Sequence, residues 1–264
     1  MIKLELAAKK ASQIAKNAGD FLRENQLKDH QITHKGTVDL VTEMDVAAEK
    51  MIRDQLKEHF PEIAFFGEED GGSSWQDGLV WIVDPLDGTT NYAHGLDHYS
   101  VSIALCENGK PLVGALAHPG KDDIYHCWKK GGAYKNNQPI EVNKTSDMNS
   151  ALAVTGFPYN RRECMPEILQ RVEIMLNNVQ GLRRFGSAAL DLCFVANGTF
   201  SIFWENNLKP WDIAAGILLV KEAGGNVTCF NGSEIKLDNS ELLATNGLLH
   251  NQTVELLKTT SRFE

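Results

Sequence analysis

The sequence predicts a mixed α/β protein built in layers, and three observations along its 264 residues carry that expectation. The chain opens with apolar residues at helical spacing. Its middle sets short β-type runs between Asn-Gly, Gly-Gly and Asn-Asn breaks. From about Ser150 onward, strand-like and helix-like stretches alternate. Hairpins followed by alternating strands and helices mark an antiparallel sheet joined to an α/β unit. The expected division is residues 1–149, helices with an antiparallel sheet, and residues 150–264, an α/β part. No repeat, low-complexity segment or long linker separates them, so the halves are expected to pack tightly.

Leu4, Ala7, Ala8, Ala11, Ile14, Ala15, Ala18, Phe21 and Leu22 recur on one helical face and predict an amphipathic first helix. Lys35-Gly36-Thr37-Val38-Asp39-Leu40-Val41-Thr42 reads as a loop entering a short strand. Asp45 precedes a second helix whose inner face is Ala48, Met51, Ile52, Leu56 and Phe60, and Pro61 ends it. As an N-cap, Asp45 would contribute about 1 kcal/mol. Ile63 to Phe66 is a strand delivering Gly67-Glu68-Glu69-Asp70. Acids in a row are usually a solvated loop, but these stand shortly before the next turn, which makes them candidate metal ligands.

Leu79 to Val83 is an apolar run expected as a buried strand. It ends in an Asp84-Pro85 turn, and Asp87 follows three residues later. Gly88-Thr89-Thr90 then opens the next element. Tyr99 to Val142 reads as antiparallel hairpins. In the second half, Ala151 to Thr155 is a strand, Glu163 to Asn177 a helix, and Ser187 to Ala196 a helix stopped near Gly198. Phe200 to Trp204 is a strand and Ile213 to Ala223 a helix ending at Gly224-Gly225. Val227 to Phe230 and Leu242 to Thr245 are strands, and a last helix runs through Leu257. Asp212 falls at the start of an apolar helix, where capping is the plainer role.

Chemistry concentrates at Trp81 to Asn91. Two neighbouring carboxylates repel unless a positive charge lies between them. Mg²⁺ suits the position, because hard cations take carboxylate oxygen and keep places for water and phosphate. Free N–H groups at a helix start add an anion site beside it. The bland alternative is that Asp-Pro and Asp-Gly are ordinary turn formers.

Composition excludes several classes. Hydrophobic residues make up 42% and charged residues 23%, as in ordinary globular proteins. No apolar run approaches a membrane span, and the N-terminus lacks a signal-peptide core, so a cytoplasmic location is expected. Five scattered cysteines without Cys-x-x-Cys argue against a disulfide framework or a zinc knuckle. A net charge of −9 argues against broad nucleic-acid binding but not against a phosphorylated small substrate. His94 and His98 stand four apart, a spacing that can serve a transition metal. Next to oxygen-only chemistry, they read instead as supporting or surface residues.

Gly67-Glu68-Glu69, the run Trp81 to Asn91, and Pro210-Trp211-Asp212 with Ala215-Gly216 closely resemble the inositol monophosphatase family in order and separation. Asp39-Leu40-Val41-Thr42 with Asp45, and Gly186 to Asp191, extend the resemblance over essentially the whole chain. It implies a layered αβαβα sandwich, of the type shared with fructose-1,6-bisphosphatase, and a Mg²⁺-dependent phosphatase acting on inositol 1-phosphate. Two or three Mg²⁺ ions are implied. Glu68, Asp84 and the Leu86 carbonyl would hold the first; Asp84 would bridge to a second held by Asp87 and Asp212; a third would lie near Glu68. Gly88 and Thr89 match phosphate-contacting positions, with Asp87 and Asp212 beside the substrate. Thr89 and Asp45 match the pair that orients attacking water. Glu205 matches a contact to substrate hydroxyls, Ala188 lines that pocket, and Lys35 lies in a loop over the site.

The resemblance also implies Li⁺ inhibition, a phosphorylated polyol as partner and a homodimer. Relatives act on histidinol phosphate, fructose 1,6-bisphosphate or 3′-phosphoadenosine 5′-phosphate, which stand as alternatives. A second role is implied by bacterial proteins of this kind that join ribosomal RNA transcription complexes. For association with RNA polymerase, Arg161-Arg162 and Arg183-Arg184 are candidate contacts, against the plainer reading as solvated surface or salt bridges.

Overall fold

Strand β5 (Leu79–Asp87) is buried on both faces, and that double burial sets out the layers of the protein. Side chains alternate along a strand. Trp81 and Val83 therefore join one apolar cluster, with Val80 and Ile82 in another on the opposite face. In the computed structural model, residues 2–27, 32–34, 40–72 and 74–258 are described. Lys35 and Asp39 lie outside them.

Helix α1 (Leu4–Asn25) uses the alanine-rich stripe expected for it: Ala7, Ala8, Ala11, Ala15 and Ala18 are fully buried. Small side chains let it lie close on the first sheet. A two-stranded ladder, β1 (Ile32–His34) with β2 (Leu40–Thr42), leads directly into α2 (Glu43–His59). Asp45 is thus inside the first turn of α2 rather than its cap. Strands β3 (Ala64–Gly67), β4 (Gly71–Gly72) and β5 come next. The short helix α3 (Thr89–Ala93) leads to β6 (Ser100–Glu107), β7 (Lys110–His118), β8 (Asp123–Trp128), β9 (Ala133–Lys135) and β10 (Gln138–Ile140). These build an eight-stranded sheet in the order β10-β9-β8-β7-β6-β5-β3-β4, antiparallel except where β3 meets β5. Asn108, Asn136 and Asn137 adopt positive φ at the hairpin tips, as asparagine tolerates.

The second half contains β11 (Leu152–Thr155), α4 (Met165–Leu176), β12 (Gly181–Arg183), α5 (Ala188–Ala196), β13 (Ile202–Asn206), α6 (Pro210–Glu222), β14 (Asn226–Thr228), β15 (Glu241–Thr245) and α7 (His250–Lys258). Its sheet runs β12-β11-β13-β15-β14. Strands β12, β11 and β13 are mutually parallel; β14 and β15 are antiparallel additions. Three expectations shift here. The strand expected at Phe200 begins at Ile202, α6 begins at Pro210 rather than Ile213, and β12 has no counterpart in the sequence reading.

Three apolar clusters define five layers. Helices α1 and α2 cover one face of the first sheet through Trp81, Val101 and Ile103. Helices α5 and α6 lie between the sheets, where Ile82 and Leu116 meet Leu192, Leu219, Val154 and Phe203. Met175 of α4 and Leu257 of α7 close the far face over Trp204 and Phe230. The fold is therefore the αβαβα sandwich. Gly216 lets the central helices approach: a Cβ there would stand 2.4 Å from Leu192 Cδ1. Gly114 of β7 does the same for α6, with Ala215 O 2.8 Å from its would-be Cβ. The first sheet ends at Ile140 and the second begins at Leu152; the central cluster spans both. Among the described residues no helix is long and apolar enough to cross a membrane.

Candidate active site

Asp84 and Asp87 reach one cavity because β5 is irregular between them. In a regular strand, residues three apart point to opposite faces. Asp84 pairs with Ser102 but Asp87 with Ser100, so three steps on β5 oppose two on β6. That bulge turns both carboxylates toward the same side. Pro85 fits within it, having no N–H to leave unpaired. The acids thus sit on a bulged continuation of the strand, not on the turn after it that the sequence suggests. The Leu86 N–H donates to Asp84 Oδ1 at 3.0 Å, fixing that carboxylate.

Gly88, at φ +90°, reverses the chain into α3. A side chain there would stand 3.1 Å from His98 O and 3.3 Å from Gly186 O, so glycine is required twice over. Thr89 Oγ1 lies 3.0 Å from Leu86 O and 3.1 Å from Asp45 Oδ1. Asp45 is buried, facing this hydroxyl from α2.

Asp87 is held by the start of α5. Its Oδ2 accepts from Ser187 Oγ at 2.5 Å, from Ala189 N at 2.9 Å and from Ser100 Oγ at 3.3 Å. Ser187 is also the N-cap of α5. Asp212 occupies the first turn of α6, where its Oδ2 accepts from Lys209 N at 2.7 Å. It both caps and faces the cavity.

Glu68 follows β3, its N–H donating to Val83 O at 3.2 Å. Glu49, which the sequence reading passed over, shapes this corner. Buried on α2, it accepts from Glu69 N at 2.8 Å and Asp70 N at 3.1 Å and pairs with Arg53 at 2.9 Å. Gly67 is the signal that pointed there: a Cβ on it would stand 2.2 Å from Glu49 Oε2. Glu205, next to last in β13, lies on the same face as Phe203, and Gly156 leaves room for its carboxyl.

A single cavity of about 660 Å³ is lined by Glu68, Asp84, Leu86, Asp87, Gly88, Thr89, Ala188, Glu205 and Asp212. Each residue that the family resemblance places at the site, Lys35 aside, thus lines it or, for Asp45, bonds to a residue that does; Asp70, also a candidate ligand, pairs instead with Arg53 at 2.8 Å. Arg161, Arg184 and Lys209 also line it, while Arg162 and Arg183 are exposed. His94 is exposed; His98 lies among the rings of His118, Phe185 and Phe194. Neither lines the cavity.

The electrostatics are one-sided. Burial, then repulsion from Glu68, Asp87 and Asp212, pushes the Asp84 carboxyl far above the usual range. Burial raises Asp87 as well, opposed by its bonds from Ser187 and Ala189. Asp212 is pushed up to about 8 by burial and by Asp87. Glu205 rises to about 8 for the same two reasons, with Arg184 pulling it down. No three acidic, His or Cys groups among the described residues surround one common point. The donor set still fits a hard dication: carboxyl oxygens and a backbone carbonyl, with no soft ligand. What these residues lack is opposite charge, and a dication supplies it.

Residues 3–262 match the model of the inositol monophosphatase family. This chain belongs to the inositol monophosphatase family. It is 41% identical over 253 residues to inositol monophosphatase 3 of Solanum lycopersicum, covering 94% of each chain. It is 39% identical over 222 residues to the Nus factor SuhB of Xylella fastidiosa, covering 83% of this chain and 80% of that one. Among solved structures, inositol monophosphatase from Anabaena superposes with a TM-score of 0.88 at 35% identity, over 97% of this chain and 96% of that one. The family is metal-dependent, consistent with the donor set above.

Proposed function

We propose that this family member is a Mg²⁺-dependent phosphomonoesterase that hydrolyses inositol 1-phosphate to inositol and phosphate. The observation that carries this reading is the grouping of Glu68, Asp84, Asp87 and Asp212 on one cavity with Thr89 and Asp45 beside them. Glu68, Asp84 and the Leu86 carbonyl would hold one ion; Asp84, Asp87 and Asp212 a second; Glu68 a third. Bound Mg²⁺ would neutralise these acids, lower the pKa of water and stabilise charge on the phosphoryl and leaving oxygens.

The chain's own groups complete the chemistry. Asp45 accepts the Thr89 hydroxyl proton, which turns the Thr89 lone pairs toward an incoming water and orients it. Asp45 can then take up the proton released as water attacks phosphorus. The N–H groups of Gly88 and Thr89, at the start of α3, face developing phosphate charge. Glu205 accepts from substrate hydroxyls, and Ala188 leaves room for the polyol ring. Fast hydrolysis of so inert an ester requires all of these to act together.

Histidinol phosphate, fructose 1,6-bisphosphate and 3′-phosphoadenosine 5′-phosphate are the competing substrates, since fold alone does not fix the alcohol. The reading includes a homodimer in the cytoplasm. Similarity to a protein named Nus factor SuhB supports a second reading, association with RNA polymerase, which a pull-down with the polymerase tests. Phosphate release from these four esters, with and without Mg²⁺ and Li⁺, tests the first. Mg²⁺-dependent, Li⁺-sensitive preference for inositol 1-phosphate supports it. Release from none of the four overturns it.

A further inference from the structure

Helix α2 carries two buried acids one turn apart, Asp45 and Glu49. Residues four apart are neighbours on one helical face. Asp45 meets the Thr89 hydroxyl at the cavity, whereas Glu49 meets backbone. Glu49 Oε2 accepts from the Glu69 N–H at 2.8 Å, and its Oε1 from the Asp70 N–H at 3.1 Å. In an ordinary surface turn, water would satisfy such N–H groups. Here a buried acid does so, and the turn it holds is the one that presents Glu68.

Glu68 stands between two anchors. Behind it, Gly67 pairs in register with Val83, and the Glu68 N–H donates to Val83 O, one residue before Asp84. Ahead of it, Glu49 takes the next two N–H groups. Gly67 makes the close approach possible, since the Glu49 carboxyl fills the space where a Cβ would project. Arg53, one turn further along α2, closes the clasp. Its Nη2 donates to Glu49 Oε1 at 2.9 Å and its Nη1 to Asp70 Oδ2 at 2.8 Å. The guanidinium lies over the Phe65 ring of β3, 4.5 Å from the centroid. It therefore balances a buried charge that would be costly alone and ties helix, strand and turn together.

We propose that Glu49 is a positioning residue for metal binding: it sets the Glu68 carboxyl and, through Glu68 alone, the affinity for the ions that Glu68 holds. The inference rests on reading Glu68 as a Mg²⁺ ligand. Both Glu49 oxygens are engaged by backbone N–H groups and Arg53, so Glu49 acts on the turn and not on an ion. The other ligands are held from elsewhere, Asp87 by Ser187 and Ala189 and Asp212 by Lys209. The brace on α2 thus serves the Glu68 end of the site.

Calorimetric titration of Mg²⁺ into the metal-free protein, well below its melting temperature, tests this in a double-mutant cycle. Glu49→Gln keeps the volume but turns one acceptor oxygen into an amide NH₂, leaving one of the two N–H groups unmet. The Mg²⁺ concentration at half-saturation should rise about tenfold. Glu68→Gln should weaken binding at least as much. Adding Glu49→Gln to it should change nothing more, because the residue through which Glu49 acts is already disabled. An unchanged affinity in Glu49→Gln overturns the proposal. So does a full further loss in the double variant, which marks a general effect of charge or packing. Parent-like affinity in Glu68→Gln overturns the ligand reading and the proposal with it. Should Glu49→Gln not fold, Arg53→Gln, at a partly exposed position, takes its place in the cycle. Its expected rise is about two- to fivefold, and the same results overturn the proposal.

Discussion

Ser187 Oγ donates to Asp87 Oδ2 across 2.5 Å, joining the start of α5 to the end of β5 over 100 residues of chain. The same oxygen of Asp87 also takes the Ala189 N–H. These bonds favour the ionised carboxylate against the burial that opposes it. Ser187→Ala removes one of them. Outer partners of metal ligands typically matter by about tenfold or more in metal affinity. Half-saturating Mg²⁺ should therefore rise roughly tenfold, with turnover at saturating Mg²⁺ changed far less. Loss of the cap should lower the melting temperature by about 2–4 °C. An unchanged Mg²⁺ titration would count against the role given to Asp87.

Asp84→Asn tests the bridging charge. Asn keeps an Oδ1 to accept from the Leu86 N–H but removes the negative charge crowded by Glu68, Asp87 and Asp212. Activity should fall by about 10³-fold or more. In metal-free buffer the variant should melt higher than the parent protein, because like-charge repulsion is relieved. The parent should gain stability on adding Mg²⁺, and the variant should gain less. Turnover near that of the parent would sink the two-ion assignment.

Much of this arrangement was legible because its signals are local. The alanine stripe of α1, the asparagine turns between β6 and β10, and the Trp81–Asn91 run each carry their meaning within a few residues. Asp45 and Asp212 show where local reading stops. Both looked like caps, yet Asp45 is inside α2 and faces Thr89, and Asp212 combines a bond to the Lys209 N–H with a place on the cavity. The bulge in β5 was not legible, since it depends on the register with β6. Glu49 was hidden for a similar reason: its partners lie 20 and 21 residues away, in another element. Strand β12 is three residues long and exists because β11 offers it an edge.

Glu205→Ala should blur recognition of the alcohol. The carboxyl is buried beside the cavity, in the space Gly156 leaves free. Its pKa near 8 keeps it largely protonated at neutral pH, so it meets a hydroxyl as a neutral partner, and removing it leaves that buried hydroxyl unpaired at a cost of about 1–3 kcal/mol. The preference for inositol 1-phosphate over phenyl phosphate, which has no ring hydroxyls, should therefore fall roughly tenfold or more. Turnover of phenyl phosphate itself should hold. Parallel loss on both esters would assign Glu205 to the reaction rather than to recognition.

His98 makes stability depend on pH in a window that can be named in advance. Its ring lies 4.8 Å from Phe185 and 5.9 Å from Phe194, and its Nε2 is buried without a hydrogen-bond partner. Burial lowers its pKa from 6.5 to about 4. Between those values the unfolded chain binds a proton that the folded protein refuses. The contribution is fully present above pH 6.5 and is lost as pH falls toward 4, at about 1.4 kcal/mol per pH unit. Burial shifts His118, His126 and His250 in the same direction. The acid cluster opposes them, since Asp84 and Asp212 bind protons more readily folded than unfolded. Total stability against pH therefore mixes two signs, and His98→Phe isolates one. A phenyl ring suits the aromatic surroundings and cannot titrate. Urea unfolding from pH 7 to pH 5 should show the parent losing about 2 kcal/mol more than the variant. Equal losses in the two proteins would mean that the His98 ring is protonated while folded.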